Sequence, residues 1–147
     1  MPQSLATSKL LNSLPRAGSS IAVRGRAGAT PLHMAAQNGH VKIVSLLLEF
    51  GANVSAVDDD GETRLHVAAS HGSGPDTLQI LLRAGADINA LSRDGQTPLL
   101  KADGYTESVE YLLKEGADAR IASPDGITCL HKAAGSVPEH VQLILDL

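Results

Sequence analysis

Leucine, isoleucine and valine recur with helical spacing in four separate stretches of the chain. In each stretch three apolar residues occupy positions i, i+3 and i+4, so they fall on one face of an α-helix. The four sets are Val44/Leu47/Leu48, Leu78/Leu81/Leu82, Val109/Leu112/Leu113 and Val141/Ile144/Leu145. This pattern predicts four amphipathic helices, each with one buried stripe.

A second helical stretch precedes each of these helices and begins at a threonine. Threonine is a favoured N-cap residue, and proline is well suited to the first helical position that follows it. The segments read TPLHMAAQNGH, TRLHVAASHGS, TPLLKADGY and TCLHKAAGS. Their threonines, at spacings of 33, 34 and 31 residues, are Thr30, Thr63, Thr97 and Thr128. The chain therefore consists of repeated helix pairs.

Glycines mark the connections between these repeats. Three pairs of glycines, each ten residues apart, enclose the segments GANVSAVDDDG, GADINALSRDG and GADARIASPDG. The first glycine of each pair is typical of a helix end, and the Asp-, Ser- and Gly-rich residues after it favour a hairpin-like finger. Gly18 and Gly28 have the same spacing and predict a degenerate half-repeat.

These segments resemble the ankyrin repeat, because the T-P-L-H-x-A-A segment, the Gly39-His40 turn, the paired leucines and the G-A-D/N loop recur in order. The resemblance implies an all-α repeat solenoid of stacked helix-turn-helix units with hairpin-like fingers. It divides the chain into an N-terminal segment, 1–17, for which partial disorder stays open, and a repeat domain, 18–147. The units lie near 28–60, 61–94, 95–125 and 126–147, and the last one is incomplete.

Two features depart from the repeat pattern. Only seven residues separate Thr97 from Gly104 in the third unit, so its first helix is expected to be shorter by about half a turn. Arg64 and Cys129 stand where the pattern has proline. We expect these two replacements to cost little, since proline is favoured at that position but not required.

Composition and charge exclude several classes of function. Aromatic residues make up 2% of the chain, too few for a platform that stacks single-stranded nucleic acid. Residues 1–48 contain five basic groups and no acid, but these are spread thinly, so no nucleic-acid partner is expected. No stretch approaches the about 20 apolar residues that cross a bilayer, so no membrane insertion is expected.

One cysteine and the lack of a secretory signal predict a cytoplasmic protein. The nucleus stays open as an alternative. The acid-free start, which contains Ser and Arg, also resembles an organelle transit peptide, but the repeat spacing at Gly18 and Gly28 makes that interpretation less favoured.

Histidines at one repeat position suggest a metal site, which the repeat geometry opposes. His33, His66 and His131 would lie about 10 Å from one another in stacked units, whereas zinc ligands lie about 2.1 Å from the metal. The resemblance implies instead that each imidazole hydrogen-bonds the finger of the next repeat. The acidic loop at 58–61 lacks the glutamate of a calcium loop, and Cys129 lacks a neighbouring base. We predict no metal, cofactor or catalytic residue.

A stack of helix pairs presents a long concave face without a closed pocket, which favours binding of a macromolecule over catalysis. In the resembling family, contacts concentrate on the fingertips and on the exposed face of each first helix. The corresponding residues here are Gln37, Asn38, Asp59, Asp60, Glu62, Ser70, His71, Arg93, Asp94 and Gln96.

The acidic residues in this set indicate a protein partner with a basic or donor-rich footprint. The sequence thus predicts a protein-interaction scaffold and not an enzyme. The alternative is a fragment or spacer module of a larger multidomain protein whose activity lies outside this chain.

Overall fold

Helices form the regular structure of the described chain. A computed structural model gives the structure of residues 23–136 and 138–147. Those ranges contain a short 3-10 turn at Arg26–Gly28, eight α-helices and no strand, which confirms the predicted all-α class. The helices are α1 (Pro31–Gln37), α2 (Val41–Glu49), α3 (Arg64–Ser70), α4 (Pro75–Arg83), α5 (Pro98–Lys101), α6 (Thr106–Lys114), α7 (Cys129–Ser136) and α8 (Glu139–Leu145). Gly18 and segment 1–17 lie outside the described residues.

The helices stack in two layers. Helices α1, α3, α5 and α7 form an inner layer in which each helix packs on the next. Helices α2, α4, α6 and α8 form an outer layer with the same order, and each outer helix also packs on the inner helix that precedes it. This neighbour-to-neighbour packing confirms the predicted repeat solenoid.

Threonine begins the first three helices of the inner layer, as predicted. The Oγ1 atoms of Thr30, Thr63 and Thr97 accept the backbone N–H three residues later, at 3.4, 3.4 and 3.2 Å. In the first two units that third residue is His33 or His66, whose Nδ1 accepts the threonine N–H in return at 3.1 Å. Each of these two helix starts is therefore closed by a reciprocal capping box.

The core lies between the two layers, and it becomes thinner towards α8. The predicted stripes are buried in α2, α4 and α6 at Val44, Leu47, Leu78, Leu81, Val109 and Leu112. In α8, Val141 and Ile144 are only half-buried and Leu145 is exposed. Ala36 and Ala68, both fully buried, keep the inner layer thin enough for close packing.

The third unit is shorter than the sequence suggests. Helix α5 has four residues, whereas α1 and α3 have seven each. The lost length is nearly a full turn rather than half a turn. The second unit is one residue longer than the first, as the threonine spacings of 34 and 33 show. In its loop the Ser73 hydroxyl donates to the carbonyl oxygens of Ala36 and Gln37 in the preceding unit, at 3.2 Å for the latter.

Each finger is a hairpin-like turn, and the first two fingers contact each other. The Asp58 N–H donates to the Glu62 carbonyl at 3.0 Å, and equivalent bonds close the two later fingers. Between fingers, the Arg93 N–H donates to the Asp60 carbonyl at 2.9 Å. Glycine is required beside this bond, because Gly61 has φ +70° and a Cβ there would lie 2.8 Å from the Arg93 nitrogen.

The environment of Arg64 differs from what the sequence suggested. The side chain is fully buried, and its Nη2 atom donates to the Ala56 carbonyl at 2.7 Å, whereas Nε and Nη1 lack a hydrogen-bond partner. Burial lowers the pKa of the guanidinium to about 10. We therefore expect any free-energy cost at this position to come from the incompletely bonded buried cation rather than from the missing proline.

Candidate interaction surface

Two buried histidines join consecutive units. The Nε2 atom of His33 donates to the Glu62 carbonyl at 3.1 Å, and that of His66 donates to the Gln96 carbonyl at 2.8 Å. Because Nδ1 of each ring accepts the N–H of its N-cap threonine, the neutral Nε2–H tautomer satisfies both sides. Burial lowers the pKa of both imidazoles. The predicted histidine link to the next finger is confirmed at these two positions.

The first fingertip contains one carboxylate that holds the turn and two that are exposed. The Asp58 Oδ1 atom accepts the N–H groups of Asp60 and Glu62, at 2.9 and 3.0 Å, so this side chain holds the turn. Asp59 and Asp60 are exposed. Of the predicted acidic residues on this finger, these two face solvent, whereas Glu62 is half-buried.

Glu62 and Asp94 are brought together by a lysine that sequence reasoning missed. The Lys101 Nζ atom lies 2.9 Å from Glu62 Oε1 and 3.6 Å from Asp94 Oδ2, with side-chain exposures of 20%, 17% and 60%. Burial alone would lower the Lys101 pKa, but hydrogen bonds and Coulomb attraction to both carboxylates outweigh it and raise the pKa. The available signal was that Lys101 stands at the repeat position of Met34 and Val67.

Four predicted residues lie at the ends of the inner helices. The Asn38 side chain donates to the carbonyl four residues earlier at 2.9 Å, and the Ser70 hydroxyl donates to the carbonyl three residues earlier at 3.2 Å. Asn38 and His71 are exposed, and Gln37 and Ser70 are half-buried. The Asn38, Ser70 and His71 side chains therefore bond to carbonyls at the ends of their own helices.

The second fingertip contains the remaining predicted residues. Arg93 and Asp94 are exposed, and Gln96 is half-buried. The backbone of Gln96 is fully used, since its carbonyl accepts from His66 and its N–H donates to the Ser92 hydroxyl at 3.3 Å. Arg93 and Asp94 therefore offer accessible charges at the tip of this finger.

A row of aspartates runs across successive fingers. Asp60, Asp94 and Asp125 each precede the finger glycine, and all three are exposed. Asp125 was missed as a candidate, although the Asp-Gly pair repeated before Thr63, Thr97 and Thr128 was the signal for it. The finger-to-finger bond and the histidine links hold the first two members of this row in fixed relation.

His131 and Cys129 are the other side chains that the sequence raised as candidates for chemistry. His131 is exposed, and its Nδ1 accepts the Thr128 N–H at 3.1 Å. Burial raises the pKa of the Cys129 thiol, which opposes the thiolate form that a nucleophile needs. Across 23–136 and 138–147, no three His, Cys, Asp or Glu residues are placed to hold a metal ion. The helices in those same ranges are too short or too polar to cross a membrane.

Comparison with known families identifies the repeat. A family profile described as ankyrin repeats in three copies matches residues 5–92 and 73–147. The two matches overlap and together cover nearly the whole chain, including part of segment 1–17.

Curated relatives share short stretches of this chain. Human Rabankyrin-5 is 55% identical over 49 residues, which is 33% of this chain and 4% of that protein. A putative E3 ubiquitin-protein ligase of Arabidopsis thaliana is 53% identical over 45 residues, 31% of this chain and 12% of the relative. A subunit of target of rapamycin complex 2 from Saccharomyces cerevisiae is 40% identical over 50 residues, 34% of this chain and 12% of the subunit. The chain thus spans a small part of each of these proteins.

Proposed function

We propose a function on the premise that this chain belongs to the ankyrin repeat family, whose profile matches residues 5–92 and 73–147. Ankyrin repeats generally mediate protein–protein interaction. The chain is a protein-binding scaffold, and its partner contacts the fingertips and the adjoining ends of the inner helices.

The row of exposed aspartates is the observation that supports this surface. Asp60 and Asp94 project from neighbouring fingers whose backbones are bonded at 2.9 Å, and Asp125 follows at the same repeat position. A rigid row of like charges loses little conformational entropy when a complementary partner binds. The partner therefore has basic or donor-rich groups spaced to match successive fingers.

Lys101 modifies the charge of this surface. It neutralises Glu62 at 2.9 Å and lies near Asp94, so the strongest free negative charge is at Asp59 and Asp60. A partner cation is expected to engage the first fingertip before it competes with Lys101. The exposed Asn38 and His71 add donors and acceptors along the same edge.

Charge reversal at the fingertips tests the proposal. We expect Asp60→Lys with Asp94→Lys to abolish capture of the partner that the unaltered chain retains from a cell lysate. The matched control is Glu107→Lys with Glu110→Lys, which makes the same charge change on exposed residues of the outer helix α6. Loss of capture with both pairs, or with neither, would contradict binding through the fingertips.

The alternative is a spacer module of a larger protein. It is favoured by the short coverage of the relatives, since the chain matches 4% to 12% of the length of the three described above. Under this alternative the unaltered chain retains no specific protein, and charge reversal changes nothing. The two functions are therefore separated by the same capture experiment.

A further inference from the structure

The second and third fingertips, residues 92–96 and 123–127, have the same internal hydrogen bonds. The Ser92 N–H donates to the Gln96 carbonyl, and the Ser123 N–H donates to the Ile127 carbonyl, both at 2.9 Å. In return, the two serine hydroxyls accept the N–H groups of those partners, both at 3.3 Å. A difference in how firmly the two fingertips are held must therefore come from contacts outside these turns.

Three contacts join the second fingertip to neighbouring elements of the stack. The Arg93 N–H donates to the Asp60 carbonyl at 2.9 Å, which joins the fingertip to the first finger. His66 Nε2 donates to the Gln96 carbonyl at 2.8 Å, which joins it to helix α3. The Lys101 amine makes ion pairs with a carboxylate of each of the first two fingers. These contacts make the first two fingertips one unit.

Two replacements in the sequence remove the backbone and histidine contacts at the third fingertip. Pro124 occupies the repeat position of Arg93 and has no N–H to donate. Leu100 occupies the repeat position of His66 and offers no imidazole to the Ile127 carbonyl. The junction between the second and third fingers therefore differs in two places from the junction before it.

The lysine contact is also redirected, and only the base of the third finger is anchored. Lys132, at the repeat position of Lys101, donates to the Leu100 carbonyl of the inner layer at 2.8 Å. The Asp118 N–H donates to the side-chain oxygen of Asn89 at 2.9 Å, which joins the bases of the two fingers. Within the part of the chain that the structure describes, no hydrogen bond or ion pair joins the third fingertip to the second finger.

Burial of the two fingertips agrees with this difference. Ser92 is 6% exposed, whereas Ser123 at the same position is half-buried. The Pro124 ring lies against Gly95, where a Cβ would be 2.7 Å from the ring Cδ. This contact is van der Waals packing, which is less directional than the hydrogen bond that it replaces.

We propose that the third fingertip moves independently of the first two, with the joint at the Leu100 and Pro124 replacements. The consequence for binding rests on the proposed function. Asp60 and Asp94 present their charges at a fixed spacing, while Asp125 adjusts its position to the partner. Because binding must order the third fingertip, Asp125 adds less to the affinity than Asp60 or Asp94 does.

Amide hydrogen exchange of the full chain tests the movement without a partner, so a negative result leaves the proposed function untouched. The N–H groups of Ser92 and Ser123 are the matched pair, because both donate to a carbonyl at the same distance. After correction for the intrinsic exchange rate of each sequence, we expect the Ser123 N–H to exchange at least about tenfold faster. Equal rates would overturn the proposal.

Swapping the residue at the histidine position isolates the joint, because each fingertip keeps its place in the stack. Leu100→His provides the missing imidazole and should slow exchange at Ser123 at least about threefold. His66→Leu removes the existing link and should accelerate exchange at Ser92 by at least about the same factor. Both rates are taken relative to the Leu112 N–H of α6, which monitors general unfolding. If both ratios stay unchanged, the histidine link does not hold the fingertips and the proposed joint is wrong.

Discussion

The Nε2 atom of His66 lies 2.8 Å from the carbonyl oxygen of Gln96, thirty residues further along the chain. Gln96 directly precedes Thr97, the N-cap of α5, so one bond joins an inner helix to the start of the next inner helix. His33 makes the equivalent bond to Glu62 at 3.1 Å. These two bonds fix the fingers to the inner layer and set the spacing of the charges that the fingers present.

Acid is expected to weaken these two links. Burial lowers the pKa of His33 and of His66 below the ordinary value of 6.5, so the unfolded chain binds protons at higher pH than the folded chain does. The contribution of the neutral rings to stability is therefore complete above pH 6.5 and is lost as the pH falls towards the folded-state pKa values. Urea unfolding at pH about 7.5 and about 5.5 measures the change.

The control for this pH dependence comes from the chain itself. Leucine occupies the histidine position in α5, as Leu100, so His66→Leu is compatible with the inner layer. This variant should lose about 1–3 kcal/mol, because the Thr63 N–H loses its buried acceptor. It should also show a smaller difference in unfolding free energy between the two pH values. An unchanged difference would assign the pH dependence to other groups.

Replacing the buried guanidinium should stabilise the chain. Arg64→Met keeps most of the side-chain length and removes two donors, Nε and Nη1, that have no partner. We expect the unfolding free energy to rise by about 1–3 kcal/mol, after allowance for the lost bond to the Ala56 carbonyl. Arg24→Met is the matched control, because exposed Arg24 donates at 3.1 Å to the carbonyl of Val57, the residue after Ala56. This substitution should change the unfolding free energy by at most about 0.5 kcal/mol. A destabilised Arg64→Met variant would show that the single bond outweighs burial of the cation.

The Lys101 contacts should determine how charge is distributed on the surface and should add little to the unfolding free energy. A double-mutant cycle with Lys101→Met and Glu62→Gln is expected to give a coupling below about 1 kcal/mol, because the pair is partly exposed and screened. The cycle with Asp94→Asn should give a smaller value, since that carboxylate is 3.6 Å away and 60% exposed. Chemical denaturation of the four variants in each cycle measures both. A coupling well above this bound for Glu62 would make Lys101 a structural clamp between the units.

The sequence predicted those parts of the molecule that repeat. Threonine caps, apolar stripes and finger glycines each depend on residues close in the chain, so Thr30, Val44 and Gly61 could be placed from spacing alone. The environment of Arg64 could not be predicted in this way, because its guanidinium is buried and bonds to the carbonyl of Ala56 in the preceding finger.

The Lys101 contacts to two fingers escaped prediction for the same reason. They depend on how far a long side chain reaches across units. The candidate residues were located by their position in the repeat. Whether a candidate side chain is already paired depends on contacts between neighbouring repeats, which the spacing does not show.

Alanine substitutions at two glycines can distinguish the destabilising effect of crowding between two fingers from that of backbone strain. Gly61 and Gly51 both have positive φ, +70° and +91°, so an alanine at either position adopts a conformation that costs about 1–2 kcal/mol. Only Gly61 is crowded, since a Cβ there would lie 2.8 Å from the Arg93 nitrogen, whereas the space beside Gly51 is open. Gly61→Ala should therefore be the more destabilising of the two in thermal unfolding.

The amide of Arg93 provides the more direct measurement. Its N–H donates to the Asp60 carbonyl at 2.9 Å, and a methyl group on residue 61 would push the two fingers apart at that bond. Hydrogen exchange at Arg93 should accelerate in Gly61→Ala and stay unchanged in Gly51→Ala, because only the first substitution opens the finger contact. If both variants exchange alike and unfold at the same temperature, the fingers are not held by this contact, and the fixed spacing of Asp60 and Asp94 needs another cause.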